Sequence, residues 1–151
     1  MPDYTQANRP MRVDTDLGED VLLLGSFHGV EAISEPFMFE LEMLSTRTDI
    51  AATDMLRTAA VLTWNLPGDQ TKSIHGLVRR FIRLGQRDDL VAYRAEIVPW
   101  LWFLTLSRES RIHQQKSVLD IIEIVFKDLG YSDFDIRCTG TYEPRDYCVQ
   151  Y

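Results

Sequence analysis

The sequence is poor in the residues that usually carry chemistry. It has two cysteines, Cys138 and Cys148, with nine residues between them. That spacing fits neither a zinc site nor a CxxC redox pair. Two reduced thiols are expected, and a local disulfide would need strand geometry that sequence alone does not supply. There are three histidines, His28, His75 and His113, and none stands at helical or strand spacing from a second ligand type. No metal site is expected. The longest apolar stretch runs from Val98 to Leu106, far short of the ~20 residues needed to span a bilayer as a helix. The N-terminal stretch MPDYTQANRPMRVDTDLGED is polar and lacks the apolar core of a secretory signal. Basic charge is scarce too: 16 Lys and Arg against 23 Asp and Glu leave a net charge of −7. A general nucleic-acid binder, which needs a basic footprint to displace counterions, is excluded.

Catalytic constellations are equally missing. No serine sits in a GxSxG elbow, and Gly25 and Gly29 lack the lysine and the following helix of a phosphate loop. The segment DTDLGED superficially resembles a calcium loop. Its glycine, Gly18, falls at loop position 5 where position 6 is required, and Gly25 stands where the closing glutamate belongs. Glu40 and Glu42 share one strand face and are the best acid/base pair on offer, although a solvated strand face explains them better. Arg79, Arg80 and Arg83 form a small basic cluster, suited to salt bridges or to an anion. No catalytic residue, cofactor or metal ligand is assigned.

What is present is a globular composition, 45% hydrophobic and 26% charged, over 151 residues. That is enough for one ordinary domain, or a small domain and part of another. Residues 1–19, with Pro2 and Pro10 among polar neighbours, read as a flexible leader. Strands follow. VLLLGSFHGV is apolar and runs into glycine. In PFMFELEMLS, Phe37, Phe39, Leu41 and Met43 alternate with Met38, Glu40 and Glu42, the period of a half-buried strand. Asp49–Thr58 reads as a short helix anchored by Met55 and Leu56. AAVLTWNL and SIHGLVRRFIRL flank the turn PGDQTK. GQRDD then turns into LVAYRAEIV, where Val91, Tyr93, Ala95 and Ile97 take one face. These three strands make an antiparallel meander, and Pro99 closes it.

PWLWFLTL comes next. Trp100, Trp102 and Phe103 form a dense aromatic group, either core filling or an interface anchor. The period then shifts to 3.6. In SVLDIIEIVFKDLG, Val118, Ile121, Ile122, Val125 and Leu129 form an apolar stripe expected to be buried. Ser117 is placed as N-cap with Asp120 three residues on, and Gly130 as the C-terminal stop. FDIRC is a strand candidate, and YCVQY looks like an element beginning. The expected fold is mainly β (α+β). A barrel-like antiparallel domain over 20–106 hides its strand edges, and a second, truncated unit over 107–151 contains one amphipathic helix and begins an α/β unit.

Four blocks in order, SFHGVEAISEPFMFELEMLS, IHGLVRRF, YRAEIVPWLWFLTLSRESRIHQQKSVLDIIEIVF and YEPRDYCVQY, resemble the opening of VgrG proteins of type VI secretion spikes. More remotely, the chain is similar to the baseplate hub of contractile phage tails. The resemblance covers about Asp20 to Tyr151; His113 departs from it, standing where members often carry phenylalanine. It implies a non-enzymatic structural protein, a homotrimer whose hub barrels continue the stacked Hcp tube. A needle tipped by a PAAR protein, and effectors, would attach through later parts. The trimer would be secured largely by the needle, so this chain alone is expected not to hold as one. The protein would assemble in the bacterial cytoplasm and leave through the secretion apparatus without a cleaved signal. A prophage tail hub is the alternative. A hydrolase using Glu40 and Glu42 is a reading from another class.

Overall fold

In a computed structural model, which describes residues 4–151, the alternating segments form strands as their periodicity predicts. In chain order these are β1 (Met11–Thr15), β2 (Leu23–Ala32), β3 (Glu35–Ser45), β4 (Ala59–Leu66), β5 (Gln70–Arg87) and β6 (Leu90–Val98). They form one antiparallel sheet in the order β1-β4-β5-β6-β3-β2. The meander β4-β5-β6 is its centre. The sheet curls because β5 carries two bulges, between Val78 and Arg80 and between Arg83 and Gly85; each extra residue bends the strand and increases its twist.

The curl encloses a core. Phe39, Leu41 and Met43 point inward from β3, and Val91, Tyr93, Ala95 and Ile97 from β6. Leu41, Leu62, Val78, Tyr93 and Ile97 are fully buried. Tyr93 stacks on Phe81 with ring centroids 5.2 Å apart, and its hydroxyl donates to the Arg47 carbonyl at 3.0 Å. The polar end of the ring is thereby satisfied inside an apolar setting. At Gly29 the backbone has no room for a side chain: a Cβ there would lie 2.1 Å from the Phe39 ring, its cross-strand partner.

Residues 1–3 of the expected leader lie outside the described residues, and the rest of that expectation is corrected. Met11–Thr15 is the edge strand β1, paired with β4, and Val13 belongs to the core. Gln6 is buried as well, at 3% exposed. Its side-chain amide lies between the two edge strands. Nε2 donates to the carbonyls of Val13 and Leu22, both at 3.1 Å. Oε1 accepts from the N–H groups of Val13 at 3.1 Å and Leu24 at 2.8 Å. The Gln6 backbone N–H donates to Asp20 Oδ1 at 2.8 Å, the first cause of a lowered Asp20 pKa, with the Thr5 hydroxyl second.

The expected helix over 49–58 shrinks to one 3-10 turn, Ala52–Asp54, followed by the buried Met55; Leu56 is exposed. Backbone contacts divide the chain after Phe103, within a seven-residue 3-10 segment, Trp100–Leu106. In the second unit β7 (Arg111–Lys116) pairs antiparallel with β8 (Arg145–Gln150), and α1 spans Val118–Asp128. Ser117 caps α1 reciprocally with Asp120: Ser117 Oγ accepts from the Asp120 N–H, and Asp120 Oδ2 accepts from the Ser117 N–H. At the other end Gly130 is left-handed (φ 83°), and its N–H and that of Tyr131 reach back to the carbonyls of Lys127 and Phe126.

Two expectations fail in this unit. The FDIRC stretch forms no strand. Phe134 instead packs edge-on against Phe126, 5.1 Å between centroids, and Arg137 pairs locally with Asp135. The α1 stripe is not buried either: no residue of α1 is, and Val118 and Ile122 are 38% and 37% exposed. No helix among the described residues is long and apolar enough to cross a membrane.

Candidate interface: a charged strand face and an aromatic turn

The inward alternation of β3, β5 and β6 leaves their other residues facing out, and these carry charge. Arg94 on β6 stands opposite Glu42 on β3. It donates to Glu42 Oε1 at 2.6 Å, and its Nε lies 3.6 Å from Glu40 Oε1, an ion-pair distance. One guanidinium thus serves both carboxylates. That hydrogen bond holds the Glu42 carboxyl below its ordinary range and raises the Arg94 pKa. A carboxylate kept ionised in this way is a poor proton donor. The depression beside Glu42, lined also by Ser26, Leu84 and Arg87, measures about 190 Å³, below the ~300 Å³ at which ligand pockets begin. The acid/base reading of Glu40 and Glu42 therefore has no support in the geometry.

One step along the sheet, Glu96 is 8% exposed and held by two arginines of β5. Arg79 Nη2 lies 2.7 Å from its Oε2, and Arg80 Nη1 3.3 Å from its Oε1. Two of the three arginines singled out in the sequence are thus salt-bridged. Arg83 is exposed on the same strand. The bulge between Val78 and Arg80 lets both neighbours reach one acceptor, because it breaks the strict alternation of sides.

Arg79 also ties the aromatic turn to the sheet. Its guanidinium lies 4.9 Å from the Trp102 ring centroid, while Arg57 stands 5.3 Å from that of Phe103. Trp102 and Phe103 meet edge to face at 5.3 Å. Phe103 is buried, Trp100 and Trp102 are half-buried, and Leu101 is 44% exposed. Of the three aromatics read as either core filling or an interface anchor, Phe103 is buried. Trp100 and Trp102 keep accessible surface, with Leu101 between them.

The histidines do not converge. His28 and His75 are exposed on β2 and β5, and His113 lies on β7. Among the described residues no three His, Cys, Asp or Glu side chains are placed to share a metal. Cys138 and Cys148 are both free thiols. Sequence reasoning missed Glu96 as the partner that organises this face. An isolated charge in a strand does not reveal its cross-strand neighbour until the register is known.

A curled six-stranded sheet with a charged outer face and a clamped aromatic turn has scaffold geometry, and comparison with known proteins places it. The sequence model of the phage tail baseplate hub (GPD) matches residues 30–151. The chain belongs to the phage tail baseplate hub family. Within it, the chain is 37% identical over 146 residues to the type VI secretion system spike protein VgrG1b of Pseudomonas aeruginosa, covering 97% of this chain and 20% of that protein. It is also 37% identical to VgrG1a of the same organism, over 97% of this chain and 23% of the relative. The actin cross-linking toxin VgrG1 of Vibrio cholerae is 27% identical over 89% of this chain and 13% of its own length. The chain therefore spans about a fifth of the length of the first two of these curated relatives. A solved E. coli protein, c3393, superposes with a TM-score of 0.80 over 93% of this chain and 39% of its own, at 23% identity. It is described as a component of the type VI secretion system with structural similarity to the T4 bacteriophage tail proteins gp27 and gp5. At that identity the likeness establishes the fold, which is the hub fold.

Proposed function

We propose that this chain is a structural hub module of a type VI secretion spike, which docks on the tube built from Hcp and helps to carry the needle tip and its effectors into another cell. The observation that carries the reading is the continuous match to spike proteins across 97% of the chain. The site geometry supports it: the charged outer face is internally neutralised, and the accessible aromatic surface at Trp100 and Trp102 suits a protein–protein contact. The module is a scaffold without catalysis of its own. The needle that secures a homotrimer belongs to other parts of a longer protein, and a separate PAAR tip protein and the effectors attach through those parts. The protein assembles in the bacterial cytoplasm and is exported by the apparatus itself.

A prophage tail hub is the second reading, favoured by the phage tail description of the matching family. The test is deletion of the gene in its own bacterium, followed by measurement of Hcp released into the medium. Loss of Hcp release, restored by the intact gene and not by a Trp100→Ala/Trp102→Ala double variant, is expected. Undiminished release, with the protein recovered in tail particles after prophage induction, would overturn the secretion reading in favour of the phage one.

A further inference from the structure

The curl of the sheet sets its two edge strands on either side of Gln6, and the hydrogen bonds there have an unusual sense. The N–H groups of Val13 and Leu24 both aim at the same oxygen, Gln6 Oε1. The carbonyls of Val13 and Leu22 both aim at the same nitrogen, Gln6 Nε2. Donor therefore faces donor across the seam, and acceptor faces acceptor. β1 and β2 cannot satisfy each other directly in this register, and a primary amide, with two donors and two acceptor lone pairs, matches all four groups.

An edge strand with unpaired backbone groups is a template for another strand. Within one molecule the curl of the sheet fixes the register of β1 against β2. Between two molecules the register is free, and a one-residue shift sets donor against acceptor. β2 also has a sticky outer half: beyond Leu24 its only strand partner among the described residues is β3, and it exposes Val30 at 54%, with Ile33 at 97% in the turn beyond. β1, with five residues, is half as long as β2 and leaves much of that edge uncovered.

We propose that Gln6 is a lock on a strand-pairing surface. With its amide in place the backbone groups of Val13, Leu22 and Leu24 at the seam are satisfied; with it removed they join the open outer half of β2 in pairing with the edges of a second copy of this chain. The inference rests on the seam geometry alone and stands independently of the hub reading.

The test uses the chain as it is, with hydrogen exchange and sedimentation velocity read on the same samples. In Gln6→Ala the Val13 and Leu24 amides lose their acceptor, so their exchange should accelerate by about tenfold or more. Dimers or larger species should also appear at concentrations where the unaltered chain shows none. Faster exchange with unchanged sedimentation would overturn the proposal, and so would unchanged exchange. Gln6→Glu guards against a variant that fails to fold. Protonated, its carboxyl offers a donor to one carbonyl; ionised, it presents oxygen to both. Self-association that rises reversibly with pH through the carboxylate range in Gln6→Glu, and not in the unaltered chain, is the expected result. A pH-independent profile would sink the lock.

Discussion

The two units of this chain are held together by different means. The barrel-like unit buries a continuous core from β1 to β6. From Leu104 onward the only buried residue is Ser117, a helix cap. In place of a core this unit has a two-stranded ribbon, a doubly capped helix and ion pairs, among them Arg111 with Asp128 at 2.5 Å and Arg111 with Glu109. Such exposed pairs contribute little individually. The apolar residues are there, but Ile112, Val149 and Tyr147 stay exposed on the ribbon, as Val118 and Ile122 do on α1. Apolar periodicity therefore reports which face of an element is available for burial, and says nothing of whether a partner covers it.

Substitutions can break that contrast, and the largest effect belongs to the barrel. Leu62→Ala removes a fully buried side chain and should cost about 2–5 kcal/mol in chemical denaturation; a loss under 1 kcal/mol would mean the core is loosely packed. Gly29→Ala is next. It drives a methyl group into the Phe39 ring and should cost about 1–3 kcal/mol. Its companion Gly29→Ala/Phe39→Leu should recover part of that loss if the clash is the cause.

Effects in the second unit are smaller. Ser117→Ala removes the cap of α1 and should cost about 1 kcal/mol, seen as faster exchange of the α1 amides with the barrel amides unchanged. Ile122→Asp, which a buried stripe would make severely damaging, should cost less than about 1 kcal/mol because the position is already open to water. A melting shift as large as that of Leu62→Ala would show that the stripe is covered in solution.

The smallest difference is one of pH. Asp20, Glu42 and Asp49 in the barrel unit, and Asp120 in the other, all have lowered pKa values. Each is held down chiefly by a hydrogen bond to the ionised form, from Gln6, Arg94, Arg47 and Ser117 respectively. A folded pKa below the unfolded one adds stability that is fully present above the unfolded values, near 3.8 for Asp and 4.5 for Glu. That stability is lost as pH falls through the folded values. Acid titration should therefore begin to weaken both units below about pH 4.5. Asp20→Asn should flatten the acid limb for the barrel and leave α1 exchange unaffected.

Much of the sheet was legible because its strands alternate. Phe37 to Met43 and Val91 to Ile97 lie on the faces their period assigns, and the turns at Pro67–Gly68 and Asp88–Asp89 fall between the strands they separate. β1 carries the same signal, with Val13 buried between exposed Arg12 and Asp14. Five residues behind Pro10 are too few to stand out from a polar leader. Gln6 was invisible for a firmer reason: its importance lies in four backbone groups that the curl of the sheet brings to it. FDIRC misled because its largest apolar side chain, Phe134, packs on a neighbouring ring and takes no place in a ladder. The aromatic turn was visible as composition, but the division of labour among its rings depends on Arg57, in the turn before β4, and on Arg79 of β5.

The strand order has a consequence for how the chain acquires its shape over time. β1 pairs with β4 and β3 with β6, across separations of about 45 to 60 residues. Only β2-β3 and the meander can form from neighbours in sequence. A nascent chain that has reached β4 holds two separate pairs, β2-β3 and β1-β4, with no strand to join them. The sheet joins into one piece only when β6 arrives, since that strand links the meander to β3. Loop closure of this length slows assembly and leaves apolar edges exposed in the interval. Leu90–Val98 is thus the keystone in time as well as in space: a ribosome that stalls before it should release a chain prone to aggregate, and one that stalls after Phe103 should release a sheet already joined into one piece.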